Sequence, residues 1–590
     1  MKDQSANAKM ITKLLFRLLP VQILLSAVGS VNGIVSSYFA ANYVGVDAMS
    51  AVGLYGPLNM LVSSVSTILV GGAVILCGLY MGKNEQEKLQ NVFSLNLTVS
   101  SLAALVFIAV YGAMGLFDLT GGLTKDPAVR PLLNRYFLGQ AIGILPSMLG
   151  SSFAAFLSLE NKGKRTTAAS IVYILVNVLL NYLFVQLLHM EAFGLALASS
   201  LGMWVFMGIQ AEVYVSGRSH LRFSASGLDW SENREILRIG LPGALSNLYQ
   251  TARGLITNHL LESVVGSVAI SAFAAADNLL RIFWSVPAGM LAVSRMLISV
   301  SVGEEDRQSL TDIMRVMFRR FLPLMACICA VIILCAEPLT RIFYRDPSAS
   351  VYLMTVRGLR ILPLCMPLSL ICMHFTCYAQ TSGKQDLVHT LALLDGVVCV
   401  AGFTALLVRL IGTSSVYVAN VLNGIVTTLV IIGYAWLKKK RFPRNMDELM
   451  VIPDSFGAPE SERMDLSVTN MEGVVSIARQ VQQFCLDRGI DARRAYLAGL
   501  SMEEMAGNIV EHGFTKDKKN HSVDVRVVHK DGDVILRIKD DCVPFDPGER
   551  KKLAEGDDVT RNIGIRMVFR IAQDVQYRNI LGMNVLTIRI

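Results

Sequence analysis

The chain changes solvent at Lys438-Lys439-Lys440-Arg441. Before that run it is a succession of long apolar stretches. After it, charged and apolar residues interleave as they do in a water-soluble domain. Any fold must therefore hold a lipid-spanning body and a water-facing module in one polypeptide. Of 590 residues 53% are hydrophobic and 17% charged, against about a quarter charged in a soluble domain. The net charge of +8 does not mark a nucleic-acid binder, because the cations gather in short loops between apolar stretches, where they orient membrane helices. The ten cysteines form no CxxC pair, and Cys327, Cys329, Cys335, Cys365, Cys372 and Cys377 fall inside apolar stretches. They read as buried small hydrophobes rather than a disulfide framework or a zinc site. The first apolar stretch is long and lacks a small-residue cleavage pattern, so it does not read as a cleavable signal peptide.

A spanning helix needs about 20 predominantly apolar residues. That rule predicts about twelve: 12–40, 50–80, 91–116, 131–158, 166–188, 191–216, 236–261, 267–301, 315–336, 352–380, 386–409 and 413–437. Cations favour alternate loops: Lys83 and Lys88; Lys162, Lys164 and Arg165; Arg218, Arg222, Arg234 and Arg238; Arg307, Arg315, Arg319 and Arg320; and Lys384. The cation-rich side is cytoplasmic. Both termini then lie on the cytoplasmic side of a cell membrane, and the soluble tail meets cytoplasmic ATP.

The apolar part repeats. VGVDAMSAVG at 44–53 and VGSVAISAFA at 265–274 share five of ten residues at an offset of 221. Gly163-Lys164 recurs as Gly383-Lys384, and Leu19-Pro20 as Leu241-Pro242, at offsets of 220 and 222. These offsets imply a six-plus-six duplication, with halves at 1–220 and 221–441. Six crossings per half give parallel topology, and such halves enclose a substrate path and rock against each other. The early proline, the VG-x-x-A-x-S-A segment, the repeated Gly-Lys loops and the Asn177-x-x-x-Asn181 pair resemble a multidrug and toxic compound extrusion (MATE) transporter over residues 10–440. The resemblance implies an antiporter driven by a Na+ or H+ gradient that exports small, amphipathic or cationic compounds. It points to Ser36, Asn177 and Asn181, and members carry carboxylates at the first and last of these; none of the three can ionise, although their oxygens could ligate sodium. Asp277 and Asp395 are intramembrane acids, expensive at the bilayer centre and therefore candidates for a transport cavity. The blander reading pairs Asp277 with Arg281. His374 reads as a packing histidine.

Residues 442–464 hold Pro443, Pro453, Gly457 and Pro459 and read as a linker. Beyond them, 465–590 predicts helices over 469–488 and 491–512, strands near 521–529 and 533–540, a helix from about 564, and strands at 574–578 and 584–590. This is an α/β sandwich with a helical layer on a mainly antiparallel sheet. Glu504-x-x-x-Asn508-x-x-x-His512 places a carboxylate, an amide and an imidazole on one helix stripe, able to hold magnesium and orient a nucleophile. Asp540-Asp541-Cys542-Val543-Pro544-Phe545-Asp546-Pro547 ends a strand, where a carboxylate can accept from an exocyclic amine. Asn562-Ile563-Gly564 opens a helix whose N-terminus attracts phosphate.

In this order the three motifs, with Asp574-x-x-Tyr577 after them, resemble the histidine-kinase-like ATPase fold, and most nearly the anti-sigma-factor serine kinases. The resemblance implies ATP and Mg2+ as cofactors. Asn508 would hold the metal, Glu504 would act as catalytic base toward a protein hydroxyl, Asp540 would read adenine, and His512, Asp546 and Gly564 would complete the nucleotide site. It also implies a cytoplasmic anti-sigma-antagonist-like partner. Cys542 stands where that family has glycine, a substitution that strains the chain if the position needs φ > 0. A glycine expected near Asn562 is missing.

The leading expectation is a MATE-like secondary transporter with a regulatory ATP-binding domain. No Walker A GxxxxGK[ST] occurs that could power transport. A second is a membrane-tethered serine kinase or partner-switching regulator whose transporter-like part is a sensor. A lipid-linked precursor flippase ranks third, because few Lys or Arg lie within the helices.

Overall fold

The computed structural model describes residues 6–83, 85–124, 126–224, 228–341, 344, 346–514, 521, 523–530, 532–547, 563–580 and 582–590. These form two compact units. One comprises Leu15–Glu304 and Ile313–Val451; the other comprises Met1–Leu14, Glu305–Asp312 and Ile452–Ile590.

The first unit is helical. Among the described residues, eleven helices from Ala8–Ala27 to Ser414–Lys439 are long and apolar enough to cross a membrane. The helix expected at 236–261 is present as Ser231–Val264. It has the length, but Glu232, Arg234, Glu235, Arg238, Gln250 and Arg253 dilute its apolar character. The helix expected at 267–301 is two, Ser267–Arg281 and Ser285–Gly303. Pro287 explains the break, since it offers no N–H and its ring crowds the carbonyl four residues earlier. Cys327 and Cys335, expected buried, are exposed on the unit's surface. In a spanning helix the outer face is solvated by lipid, so an apolar environment does not require an inward position.

The internal repeat is written in the backbone. Gly45 and Gly266 both precede a helix, with φ 120° and ψ 179° in the first and φ 104° and ψ 174° in the second. The extended left-handed region is essentially restricted to glycine. The two halves also meet at glycines. A Cβ on Gly72 would collide with the backbone of Ile236, one on Gly240 with that of Ile68, and one on Gly303 with that of Leu79. Such small-residue seams let membrane helices approach closely.

In the second unit a five-stranded sheet has the order β1-β2-β3-β5-β4. The strands are β1 (Arg463–Val468), β2 (Val523–Lys530), β3 (Asp533–Asp540), β4 (Asp574–Ile580) and β5 (Met583–Arg589). Every neighbouring pair is antiparallel. The helices Met471–Leu486, Ala492–Asn508 and Ile563–Ile571 accompany it. Alternate residues Val523, Val525, Val527, Val534, Leu536 and Ile538 join Val474, Ile477, Val481 and Met502 in one core. The first two helices start where capping predicts. Asn470 Oδ1 accepts from Gly473 N at 2.8 Å, and Asp491 Oδ2 from Arg493 N at 3.0 Å. Strand β1 was not anticipated, and its first two residues fall inside the expected linker. Its ladder with β2 exists through long-range pairing, which local composition does not announce.

Candidate functional site

In the N-terminal half the helix Gly163–Asn181 brings Asn177 and Asn181 to one buried stripe. Asn181 Nδ2 donates to the Asn177 backbone oxygen at 2.8 Å and lies 3.3 Å from Asn177 Oδ1. Asn177 Nδ2 donates to Ser199 Oγ at 3.3 Å, and Ser199 Oγ lies 3.4 Å from Ser36 Oγ. Ser36, Asn177 and Asn181 thus belong to one buried polar chain, joined by Ser199, which the sequence reading missed. Asn181 Oδ1 has no hydrogen-bond partner among the described residues. A buried oxygen left unmatched costs about 1–3 kcal/mol unless a ligand or water satisfies it.

In the C-terminal half Asp395 lies in a π-helical turn, Leu394–Val398, within the span Gln385–Ile411. Its Oδ1 accepts from Asn423 Nδ2 at 2.8 Å, and its backbone oxygen accepts from Arg253 Nη1 at 3.3 Å. Wide turns of this kind recur at functional positions. Asn423 and Arg253 come from other helices, so no local pattern foretold them. Asp277 is 45% exposed and pairs with Arg281 one turn on, at 3.1 Å; the structure does not bring it to Asp395 or to the asparagine chain. His374 is fully satisfied by Leu370 O and Ser294 Oγ, both at 2.9 Å.

In the tail Asp540 ends β3 and is buried. Its Oδ1 accepts from Cys542 N at 2.9 Å and from Asn584 Nδ2 at 2.8 Å. Tyr577 and Asn579 fix Asn584 in turn, each donating to its Oδ1, at 2.7 and 2.8 Å. Burial raises the Asp540 carboxyl above the ordinary range, against the hydrogen bonds from Asn584 and Cys542 that lower it. Phe545 N donates to the Tyr577 hydroxyl at 3.0 Å, which holds the turn bearing Asp546. Cys542 is not at positive φ, so the strain anticipated for a non-glycine residue does not arise.

Glu504 and Asn508 are half-buried on the helix Ala492–Asn508, and Asn508 Nδ2 donates to Glu504 O at 2.7 Å. His512 is less buried than either. A π turn over Ile509–Gly513 follows Asn508, and His512 on it is exposed. Gly564 stands at the start of the helix Ile563–Ile571, and a Cβ there would run into Glu504 Oε2. This close approach brings a helix N-terminus against the Glu504 carboxylate with no side chain between them. Asn562 lies outside the described residues. By residue type, Asp540, Asn508 and Gly564 fit an adenine nucleotide and a magnesium ion. They supply a buried acceptor for an amine, an amide for the metal and phosphate side, and backbone N–H groups free of a side chain.

Comparison with known proteins accords with this layout. The MatE family matches residues 23–183 and 242–402, and the histidine kinase-like ATPase domain matches 468–590. The chain belongs to the MatE family and carries a histidine kinase-like ATPase domain at its C-terminal end. It is 23% identical over 313 residues to the "Probable multidrug resistance protein NorM" of Bacillus licheniformis, covering 52% of this chain and 67% of that one. It is 27% identical over 235 residues to the protein of the same description from Bacillus subtilis, covering 37% and 50%. A crystal structure of MATE in complex with MaL6 shares the fold, with a TM-score of 0.67 at 20% identity, over 76% of this chain and 100% of that one.

Proposed function

We propose that the membrane unit exports small amphipathic or cationic compounds in exchange for Na+ or H+, with both chain termini on the cytoplasmic side of the cell membrane. The tail binds Mg-ATP and regulates export rather than powering it. The observation that carries the reading is the doubled MatE match, and the relatives described as multidrug resistance proteins support the class of cargo.

Asp395 is the coupling residue in this reading. Among the described residues it is the carboxylate set deepest within a span. Asn423 and Arg253 orient it, and a carboxylate can take either a proton or a sodium ion. Ser36, Asn177, Asn181 and Ser199 offer neutral oxygens, which suit a bound cation or a polar group of the cargo and cannot carry a proton. In the tail Asn508 would hold the magnesium, Asp540 the adenine amine, and Gly564 the phosphates, with Asp546 beside them. Bound ATP would supply a transferable phosphoryl group and a negative charge. Glu504, one helical turn before Asn508, would act as base toward a protein hydroxyl in a second reading, a membrane-tethered serine kinase.

The test is dye accumulation in sealed vesicles containing the purified chain, under a sodium or proton gradient and without nucleotide. Transport is expected. Asp395→Asn should abolish it, and Asp277→Asn should retain at least about half, as befits an exposed pair worth ~0.3–0.5 kcal/mol. No gradient-driven transport by the wild type would refute the exporter and leave the kinase reading to be tested by phosphorylation of a partner.

A further inference from the structure

Three consecutive residues at the end of β3 do three different things. The Lys539 side chain pairs with Asp306 at 3.1 Å, Asp540 is the carboxylate proposed above to read the nucleotide, and Asp541 pairs with Lys13. All belong to the same compact unit. Asp306 and Lys13, however, are covalently part of the transporter. Lys13 lies on the helix Ala6–Phe39, just ahead of the first MatE segment, and Asp306 lies inside the second.

The Asp306 contact is built rather than incidental. On the face of the sheet turned away from the helices, β2 and β3 present Asp524, Arg526, Arg537 and Lys539, and β1 adds Asp465. The register sets Arg526 directly against Arg537, a like-charge pair that is unfavourable unless an anion intervenes. Three cations face two carboxylates there, and Asp306 is the third. It is 2% exposed and bonded to both Arg526 and Lys539, while Ser309 donates to its two oxygens at 2.9 and 2.8 Å. Burial alone would raise its carboxyl; Arg526, Lys539 and Arg537 outweigh this and hold it well below the ordinary range. Lys530 pairs with Glu305 at 3.2 Å, and Arg307 donates to the carbonyls of Ile452 and Phe456 at 3.3 and 3.4 Å.

We propose that the end of β3 is a nucleotide-sensing strut, which holds one point of each transporter half through Lys13–Asp541 and Asp306–Lys539 and is set by occupancy of the intervening Asp540. Halves of this kind transport by moving against each other, so a body gripping both governs the rate of that motion. A ligand at Asp540 acts on a backbone that Lys539 and Asp541 share, which gives the differential contact that coupling requires. The inference rests on the reading that the tail binds ATP.

The test uses the full chain in vesicles, with gradient-driven dye transport measured with and without Mg-ATP, and with ATP binding measured on the same samples. Wild-type transport should change at least about twofold on adding nucleotide. Lys13→Ala, an exposed substitution that spares the fold, should bind ATP and transport without responding to it, and Lys13→Arg should restore the response. Asp306→Asn should likewise lose the response, and Asn508→Ala should lose both response and binding. ATP binding with an undiminished response in Lys13→Ala, or with no response in the wild type, overturns the strut alone. No ATP binding by the wild type overturns the nucleotide reading, and the strut with it.

Discussion

At the scale of single residues, the positions readable from sequence were those whose chemistry fixes their identity. Asp540, Asn508 and Gly564 stand in motifs with fixed order, and a Cβ on Gly564 would meet Glu504 of the helix that ends at Asn508. Ser199, Asn423 and Asn584 escaped notice because each is a neutral polar residue completing a contact with a partner distant in sequence, and neutral polar residues carry no period. Asp524 shows how much a surrounding can do that composition cannot announce. It sits opposite Lys539 on β2, yet burial pushes its carboxyl up to about 6, against the lowering influence of Lys539 and Arg526. Its Oδ2 has no hydrogen-bond partner among the described residues. An unfolded aspartate titrates near 3.9. The folded state therefore holds its proton more tightly. The stability this confers is fully present below about pH 4 and is lost as pH rises through about 6. Asp524→Asn keeps a neutral side chain at every pH. In the full-length protein it should raise the melting transition of the tail at pH 8 by the equivalent of roughly 1–3 kcal/mol and leave it unchanged at pH 4. An equal shift at both values would mean that shape, not ionisation, sets the cost of this residue.

At the scale of elements, helices and strands followed from hydrophobic period, while their interruptions did not. The π turns over Leu394–Val398 and Ile509–Gly513 and strand β1 depend on packing across the chain, whereas the break before Pro287 has a local cause. The internal repeat was legible from identities, and Gly45 and Gly266 give it a physical meaning. Both occupy the same unusual backbone region, and neither has an atom within 4 Å of where a Cβ would stand. Substitution by alanine therefore costs conformation alone. Gly45→Ala and Gly266→Ala should each destabilise the protein by about 1–3 kcal/mol, by similar amounts. Gly254→Ala, in open space at ordinary φ, should be neutral or slightly stabilising because alanine favours helix. Thermal unfolding in detergent measures all three. Unequal losses at Gly45 and Gly266 would mean that the two halves do not use the glycine turn alike.

At the scale of the whole molecule, the sequence divides at Lys438–Arg441, while compactness groups residues 305–312 with the tail. Residues 305–312 read as a loop between spans, and a charge there reads as an orienting charge. The structure counts the segment with the tail, because Asp306 completes an ion cluster with Arg526 and Lys539, which lie more than 200 residues later in the sequence. A buried ion pair stabilises little relative to an apolar isostere, whereas removing one partner costs about 3–5 kcal/mol by leaving the others buried and unmatched. Excising residues 452–590 removes that partner. The fragment should therefore unfold at lower denaturant concentration than the tail does within the intact chain, by the equivalent of about 3–5 kcal/mol. Replacing Lys539 by methionine in the fragment should recover part of the loss, since an apolar chain of similar length needs no counter-ion. A fragment as stable as the tail in the full chain would show that water reaches Arg526 and Lys539 freely once residues 305–312 are gone. The sheet would then be self-sufficient, and Asp306 a passenger upon it. If instead the fragment is weak and methionine restores it, the domain carries an unmatched charge made for a residue of the transporter, and neither body was selected to fold without the other.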